Sequence, residues 1–367
     1  MYSQSIIGLI GCMFNLDRTM TDIMERLPTE LMVEVVGLLD RPTIHSFTIV
    51  SSKYREIAQP LLFRRIYIKS ISRKRLALFI EQMENSSKHA SMIKILMIVW
   101  PFTPELLDHL FTVISNLEEL FIYYGVSNPT RLPSPHYFPN LRRLHFQVSR
   151  PEVINYLVAN FIPCHRGLDD LKVTFLPHNL NSDPATRCMP PLAESVSIGV
   201  NRLVTYHGPS SLLPLLTPDS RMEHLTSTHQ LDEGALRKLS SAISGGLLSL
   251  TISDPMDPNE TKTLPGPLIP SLFPNLRSLA WLSLDINSVS VIDQLPCLRR
   301  IWFSSMDTLK LHDRMAFVSK IQELTDNKNR PLQEIWVYAR AGHPFSLKYS
   351  KASIDSPWML KTDLPVV

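Results

Sequence analysis

The chain has 367 residues and few of the groups that build staples, cofactor cradles or reactive centres. Only 4 cysteines are present, Cys12, Cys164, Cys188 and Cys297, and none of them forms a CxxC pair. Neither a disulfide framework nor a cysteine-built zinc site is signalled, and a reducing compartment fits such usage best. The 12 glycines are scattered, with no GxGxxG and no phosphate-cradling loop among them. HExxH and GxSxG are absent too. His224 and His229 stand five apart, a spacing that puts two imidazoles on different faces of a helix, so they read as a surface or turn pair. No charge of one sign dominates: 37 basic and 34 acidic residues leave +3, too balanced to point to nucleic acid or an acidic membrane surface.

No apolar run reaches the ~20 residues that a membrane-crossing helix needs. Ile6 to Phe14 is a short apolar stretch with no Lys or Arg before it, which makes a poor signal peptide. It reads as a frayed or leading helix, or an imprecise start, with a weak membrane or partner anchor as the other reading. Asn85-Ser86-Ser87 and Asn259-Glu260-Thr261 match the glycosylation pattern, but without a secretion signal such matches are expected by chance. What remains is a chain 44% apolar with 29 prolines, enough for a large core.

A phrase recurs along that core: apolar, two variable, apolar, one variable, apolar. Clear copies start at Leu117, Leu141, Leu168, Leu247, Leu276, Leu298 and Leu332, an earlier one at Ile93, and weaker ones near Val200 and Met222. From 93 to 117 and from 117 to 141 is 24 residues, from 141 to 168 is 27 and from 276 to 298 is 22. Phe138-Pro139-Asn140-Leu141 and Phe273-Pro274-Asn275-Leu276 repeat one another with the prefix included. Repeats of about 20–29 residues with one strand each build a curved solenoid, strands on the concave side and helices on the convex side. Helix signals fall between the strands: Arg73–Asn85, Thr103 capping a helix from Pro104, Pro151–Asn160, Asp232–Ser244 stopped by Gly245-Gly246, and Asp313–Asp326. Leu176–Leu192 and Asp254–Leu272, rich in Pro, Asn and Ser, read as loops.

This pattern resembles the leucine-rich repeats. It departs from them after the third apolar position, where Gly125 and Ser149 replace the usual Asn or Cys, so irregular coils are expected.

Ahead of the repeats, residues 27–68 read as a helical module. Pro28 and Pro42 sit where helices start, and Pro60 is expected to end the third. From Pro28 to Leu39 two apolar rows, Leu31/Val35/Leu38 and Met32/Val36/Leu39, make a stripe wider than one core contact requires. The order Leu27-Pro28-x-Glu30-Leu31, then Ile44, Phe47, Ile49-Val50-Ser51, Tyr54 and Ala58, resembles the F-box. The following Pro60 to Ile66 looks like the continuation common in fungal F-box proteins. Ser51 stands where Cys is frequent in that family and Tyr54 where Trp is.

The expected architecture is therefore α/β. A segment 1–24 precedes a three-helix F-box at 25–68. A leucine-rich-repeat-like solenoid follows at 69–339, and a cap or tail at 340–367. The resemblance implies a non-catalytic adaptor of a cullin-type ubiquitin ligase in the cytoplasm or nucleus. It would dock on a Skp-family adaptor, and through it a cullin, by Leu27, Pro28, Leu31, Ile44, Val50 and Tyr54. Some of those residues belong to the module's own core, and sequence does not separate the two sets. No cofactor, metal, nucleic acid or membrane partner is implied.

An unidentified protein substrate would meet the concave face. The period-two register turns Phe121, Tyr123, Arg300, Trp302, Trp336 and Tyr338 outward, and Trp, Tyr and Arg are the residues most enriched at binding hot spots. The other reading of these aromatics is that they stack on one another or lie under the tail after Arg340. Two further functions stay open, an F-box scaffold without a ubiquitination role and an enzyme on a repeat scaffold.

Overall fold

The computed structural model describes residues 27–50, 52–69, 71–99, 104–123, 136–148, 151–175, 200, 202–215, 221–228, 231–243, 246–252, 266–282, 291–303, 319, 323, 331–337, 347–350 and 359–361. Ile6–Phe14, Thr103, Gly125, Ser149, Gly245, Leu176–Leu192 and nearly all of Asp313–Asp326 lie outside them.

Three helices come first: α1 (Thr29–Gly37), α2 (Arg41–Val50) and α3 (Ser52–Arg64). Asp40 starts α2, its Oδ1 accepting from the Thr43 backbone N–H at 3.1 Å. The Thr43 side-chain and backbone hydrogen bonds hold the Asp40 carboxyl below its usual pKa. The helices share a small core of Met32, Val36, Ile44, Tyr54, Ile57 and Ala58. Pro60 does not end α3, contrary to the sequence expectation; the helix runs on to Arg64. A mid-helix proline forfeits one backbone bond. Packing offsets that loss here, because Leu61 and Leu62 lie against the small core while Phe63 packs on the main one.

Strand β1 (Arg65–Ile68) follows Arg64 with no linker. Helices α4 (Arg73–Glu84), α5 (Ser87–Met92) and α6 (Pro104–Val113) alternate with β2 (Ile95–Val99) and β3 (Glu119–Tyr123). Then come β4 (Arg143–Val148), α7 (Pro151–Tyr156), β5 (Asp170–Phe175), β6 (Thr205–Gly208), β7 (His224–Ser227), α8 (Glu233–Ala242) and β8 (Ser249–Ile252). Helix α9 (Ile269–Leu272), β9 (Ser278–Leu282), β10 (Arg300–Phe303) and β11 (Glu334–Val337) complete the coil, and β12 (Leu347–Ser350) and β13 (Met359–Lys361) end it.

The thirteen strands of the described residues lie in one sheet in sequence order. Strands β1 to β11 pair in parallel, and β12 and β13 add at the far edge in antiparallel sense. This is an α/β repeat solenoid with parallel strands. Two boundaries depart from the sequence reading. The helix begun at Pro151 passes into a π-helical turn (Leu157–Phe161) and a 3-10 turn (Ile162–Cys164). Within Asp254–Leu272, read as loop, residues 266–272 form a 3-10 turn and then α9, with Pro267 and Pro270 in first-turn positions where no N–H is needed.

The strands start in step because each repeat hands one carbonyl to the next. Lys94 O accepts from the N–H groups of both Glu118 and Glu119 at 2.8 and 3.0 Å. Glu118 O does the same for Arg142 and Arg143, Arg142 O for Asp169 and Asp170, and the pattern continues through Arg299 O, which accepts from Gln333 and Glu334. A carbonyl has two lone pairs, so one acceptor satisfies two donors. A short amide ladder lies beside it, one residue before the repeat leucine. Asn140 Nδ2 donates to Asn116 Oδ1 at 2.7 Å, and Asn116 Nδ2 to Ser91 O at 3.0 Å.

Inward side chains alternate with outward ones as period two demands. Leu96/Ile98, Leu120/Ile122, Leu144/Phe146, Leu171/Val173, Leu250/Ile252 and Ile301/Phe303 form a continuous buried column. Behind it His165 is buried with both ring nitrogens used. Its Nε2 accepts from Phe138 N–H at 3.1 Å and its Nδ1 donates to Phe161 O at 2.8 Å. Burial pushes the His165 pKa down, which suits a neutral ring.

The column changes at β6. Tyr206 takes the first inward place, fully buried, its hydroxyl donating to Pro209 O at 2.8 Å. The second place is Gly208, and a Cβ there would stand 2.5 Å from Tyr206 Oη and 2.8 Å from Cζ. Ser227, its register neighbour on β7, is also small and buried. The Tyr206 ring thus fills space that aliphatic side chains fill elsewhere. Gly208→Ala should destabilise the fold by about 1–3 kcal/mol, the usual cost of overpacking. The double change Tyr206→Leu with Gly208→Val, which restores the aliphatic pair, should recover stability beyond the sum of its parts. Urea unfolding of Gly208→Ala and of the four members of the double-mutant cycle checks this, and additive effects in the cycle would contradict it.

Candidate interaction surfaces

The helical module settles which apolar row of α1 faces where. Met32 and Val36 are buried and Leu39 is half-buried, whereas Leu31 is 48% exposed, Val33 40% and Leu38 58%. Ile49 of α2 is 69% exposed. Leu27 is half-buried against the small core, Pro28 is exposed, and Ile44 and Tyr54 lie inside that core. The side chain of Val50 lies outside the described residues. Tyr54 meets Phe47 edge-on, ring centroids 5.6 Å apart. The module therefore keeps Met32 and Val36 for itself, with Val35 and Leu39 packed at the edge of its core, and turns Leu31 and Leu38 of the other row to solvent.

The module is tied to the solenoid through α3. Phe63 stacks on His89 of α5, centroids 4.6 Å apart, and His89 Nδ1 shares a 2.9 Å hydrogen bond with Ser86 Oγ. Arg64 O accepts from Lys94 N–H at 2.9 Å, extending the strand-start ladder backward into the helix.

The open face of the sheet, expected to be the concave one, carries the outward residues of each strand. On β3, Glu119, Phe121 and Tyr123 are half-buried. Phe121 meets His145 of β4 edge-on, centroids 4.6 Å apart. Arg143 Nη1 bonds Glu119 Oε1 at 3.0 Å, and His145 Nε2 stands 3.7 Å from Asp170 Oδ2. At the other end Trp302 of β10 lies directly opposite Trp336 of β11. Arg300 Nε is 3.5 Å from Glu334 Oε2, which also accepts from Trp336 Nε1 at 3.5 Å. The register slips where β9 meets β10, so that Trp302 faces Ala280 and Phe303 faces Leu282. Such a bulge re-aims the strand beside the tryptophans. Tyr338 lies outside the described residues.

The proposed contact residues thus form two patches, not one. Strand β3 is seven places from β10 in the sheet, a path of roughly 34 Å at ~4.8 Å per strand. Between them lies a cluster of which period-two alternation turns two members outward, His145 on β4 and Lys172 on β5, and misses the third, His207 on β6, in register with them. His207 escaped notice because β6 belongs to the weak repeat near Val200, whose Tyr206–Gly208 pair hides the phrase. Its pKa is pushed down to about 4 by burial first, then by Lys172 and His145, with Asp170 opposing.

Elsewhere a small cavity of about 290 Å³ lies against Tyr137, Pro139, Arg166 and the buried His165. His165 has both nitrogens engaged within the fold, so it brings no acid–base group there. Among the described residues no cluster of His, Cys, Asp and Glu could hold a metal ion. Among them, too, no helix is long and apolar enough to cross a membrane.

No family model matches the chain, and no curated protein does. Among solved structures, an internalin from Listeria monocytogenes is similar to it at 14% sequence identity, with a TM-score of 0.31. The match covers 74% of this chain and 89% of that chain.

Two outcomes follow. Leu31→Asp and Leu38→Asp should leave the thermal midpoint within a few degrees, because both sites are exposed, whereas Val36→Asp should unfold the helical module. Calorimetry and limited proteolysis compare them. The pH dependence has a fixed sign as well. His207 binds its proton more weakly folded than unfolded, so its contribution is present above about pH 6.5 and lost as pH falls toward about 4. His207→Asn should flatten that part of the stability profile.

Proposed function

We propose that the chain is a non-catalytic substrate-recognition adaptor of a cullin-type ubiquitin ligase, with an F-box of fungal type at residues 25–68. The module docks on a Skp-family adaptor, and through it a cullin. The solenoid at 69–339 selects a protein to be modified, and residues 340–367 serve as a cap or tail. The observation that carries this reading is the exposed apolar row of α1. Leu31 and Leu38, two turns apart on one face of α1, are exposed on a module too small to need them for its own core, and Ile49 of α2 is exposed as well. An exposed apolar patch of this kind marks a protein contact. Leu27, Pro28 and Leu31 meet the partner directly, while Ile44 and Tyr54 act by holding the helices that present them.

The solenoid supplies no chemistry of its own in this reading; it gains rate for others by positioning. Substrate contacts fall to Phe121 and Tyr123 at one patch and to Arg300, Trp302, Trp336 and Tyr338 at the other. A scaffold role without ubiquitination shares the same surfaces and differs only in what the docked partner brings.

Co-expression tests the docking. The chain should co-purify with a Skp-family adaptor, and Leu31→Asp with Leu38→Asp should reduce the affinity by at least about a hundredfold, as expected for central apolar anchors. Trp302→Ala with Trp336→Ala should leave adaptor binding intact and remove substrates found by proximity labelling with the cullin pathway blocked. A folded chain that ignores the adaptor would overturn the ligase reading.

A further inference from the structure

The strand register sets His145, Lys172 and His207 side by side on β4, β5 and β6. Neighbouring strands are ~4.8 Å apart, so three nitrogen-bearing side chains share a row roughly 10 Å long. All three are half-buried in the open face of the sheet. The carboxylates nearby are engaged: Glu119 with Arg143, and Asp170 with His145. Among the described residues Lys172 makes no ion pair. On the far side β7 contributes His224 and Thr226, and β6 itself contributes Thr205. The sign of the local field can be read from His207. Lys172 and His145 oppose its proton, and Asp170 is the weakest of the influences upon it. The row is therefore a positive spot in a face whose other charges are largely paired. Beyond His207 the same row continues over Thr226 and Thr251, short hydroxyl side chains that leave room for a chain laid across the strands.

We propose that this row seats a carboxylate side chain of an acidic, extended segment of the partner protein. Lys172 supplies the fixed charge, and His145 and His207 donate N–H groups. The arriving carboxylate raises the proton affinity of His207, and the flanking residues of the segment run over Thr226 and Thr251. Charge-assisted bonds of this kind give both strength and register. The inference rests on the open face being the selecting surface, and is independent of whether α1 and α2 dock on a ligase adaptor.

The test uses the full chain with fluorescein-labelled octaglutamate at low salt. Anisotropy should report binding at about pH 6.5 that weakens as salt is raised. Lys172→Ala and Lys172→Met should each weaken it about tenfold, with Lys172→Arg restoring most of the loss. In the same protein octaglutamate should raise the NMR titration midpoint of the His207 ring by at least about one unit. Circular dichroism confirms that each variant is folded. Absence of binding, binding unaffected by all Lys172 variants, or an unmoved His207 midpoint would each overturn the proposal. An equal midpoint shift with inorganic phosphate would reduce the row to a bare anion site, against a segment seat. A phosphoserine peptide bound far more tightly than octaglutamate would overturn the carboxylate assignment. Loss of adaptor co-purification alone leaves all these readings untouched.

Discussion

One shared carbonyl per repeat sets the geometry of the whole solenoid. From Lys94 to Arg299, the oxygen before each strand accepts two consecutive N–H groups of the next repeat. The bond is made by backbone, so it asks nothing of the side chain at that position. Lys, Glu, Arg, Asp, Val and Leu all serve. The intervals between these carbonyls can therefore vary, as between Arg142 and Asp169 or Asp169 and Val204, without the strands losing alignment. Insertions are absorbed between strands while the ladder restores register at each return. The buried column of leucines and isoleucines, the outward rows and the charge pairs across neighbouring strands all inherit their spacing from it.

Much of this was legible because period-two alternation is a local property. The phrase around Leu117, Leu141 or Leu298 announces a strand and says which side chains turn inward. Even the weak copies near Val200 and Met222 proved to be strands. They looked weak because packing there is solved by a different pair. Tyr206 reaches across into the space of Gly208, and Ser227 completes a region of small second positions. Such compensation links a residue to its neighbour two places on and to the next strand, and a repeat template does not encode it. The amide ladder was hidden for a similar reason. Asn116 and Asn140 precede the repeat leucine instead of following the third apolar position.

The candidate surfaces were less legible. Sequence supplied both apolar rows of α1 but no means of choosing between them, because the choice depends on where α3 lies against it. The outward tryptophans were visible from alternation alone, yet their direct opposition, with Glu334 between Arg300 and the Trp336 ring, is a matter of register. The row of His145, Lys172 and His207 needed both the register and the weak repeat. Pro60 misled in the opposite direction. Its local cost was weighed without the two cores that hold the last turn of α3 in place.

That last turn has a mechanical consequence. A helix that enters a sheet without a linker, clamped to one core by Leu61 and Leu62 and to the other by Phe63, leaves no slack between the two ends of the molecule. A tethered module would sample a sphere of positions and would tolerate partners of any size. A stiff arm works as a gauge: under the proposed function, a protein held on the sheet face is offered at one distance and one angle from the partner of the helices. Under that proposal only groups lying on that arc come within reach, so selection operates on where a site sits in a partner as well as on whether the partner binds.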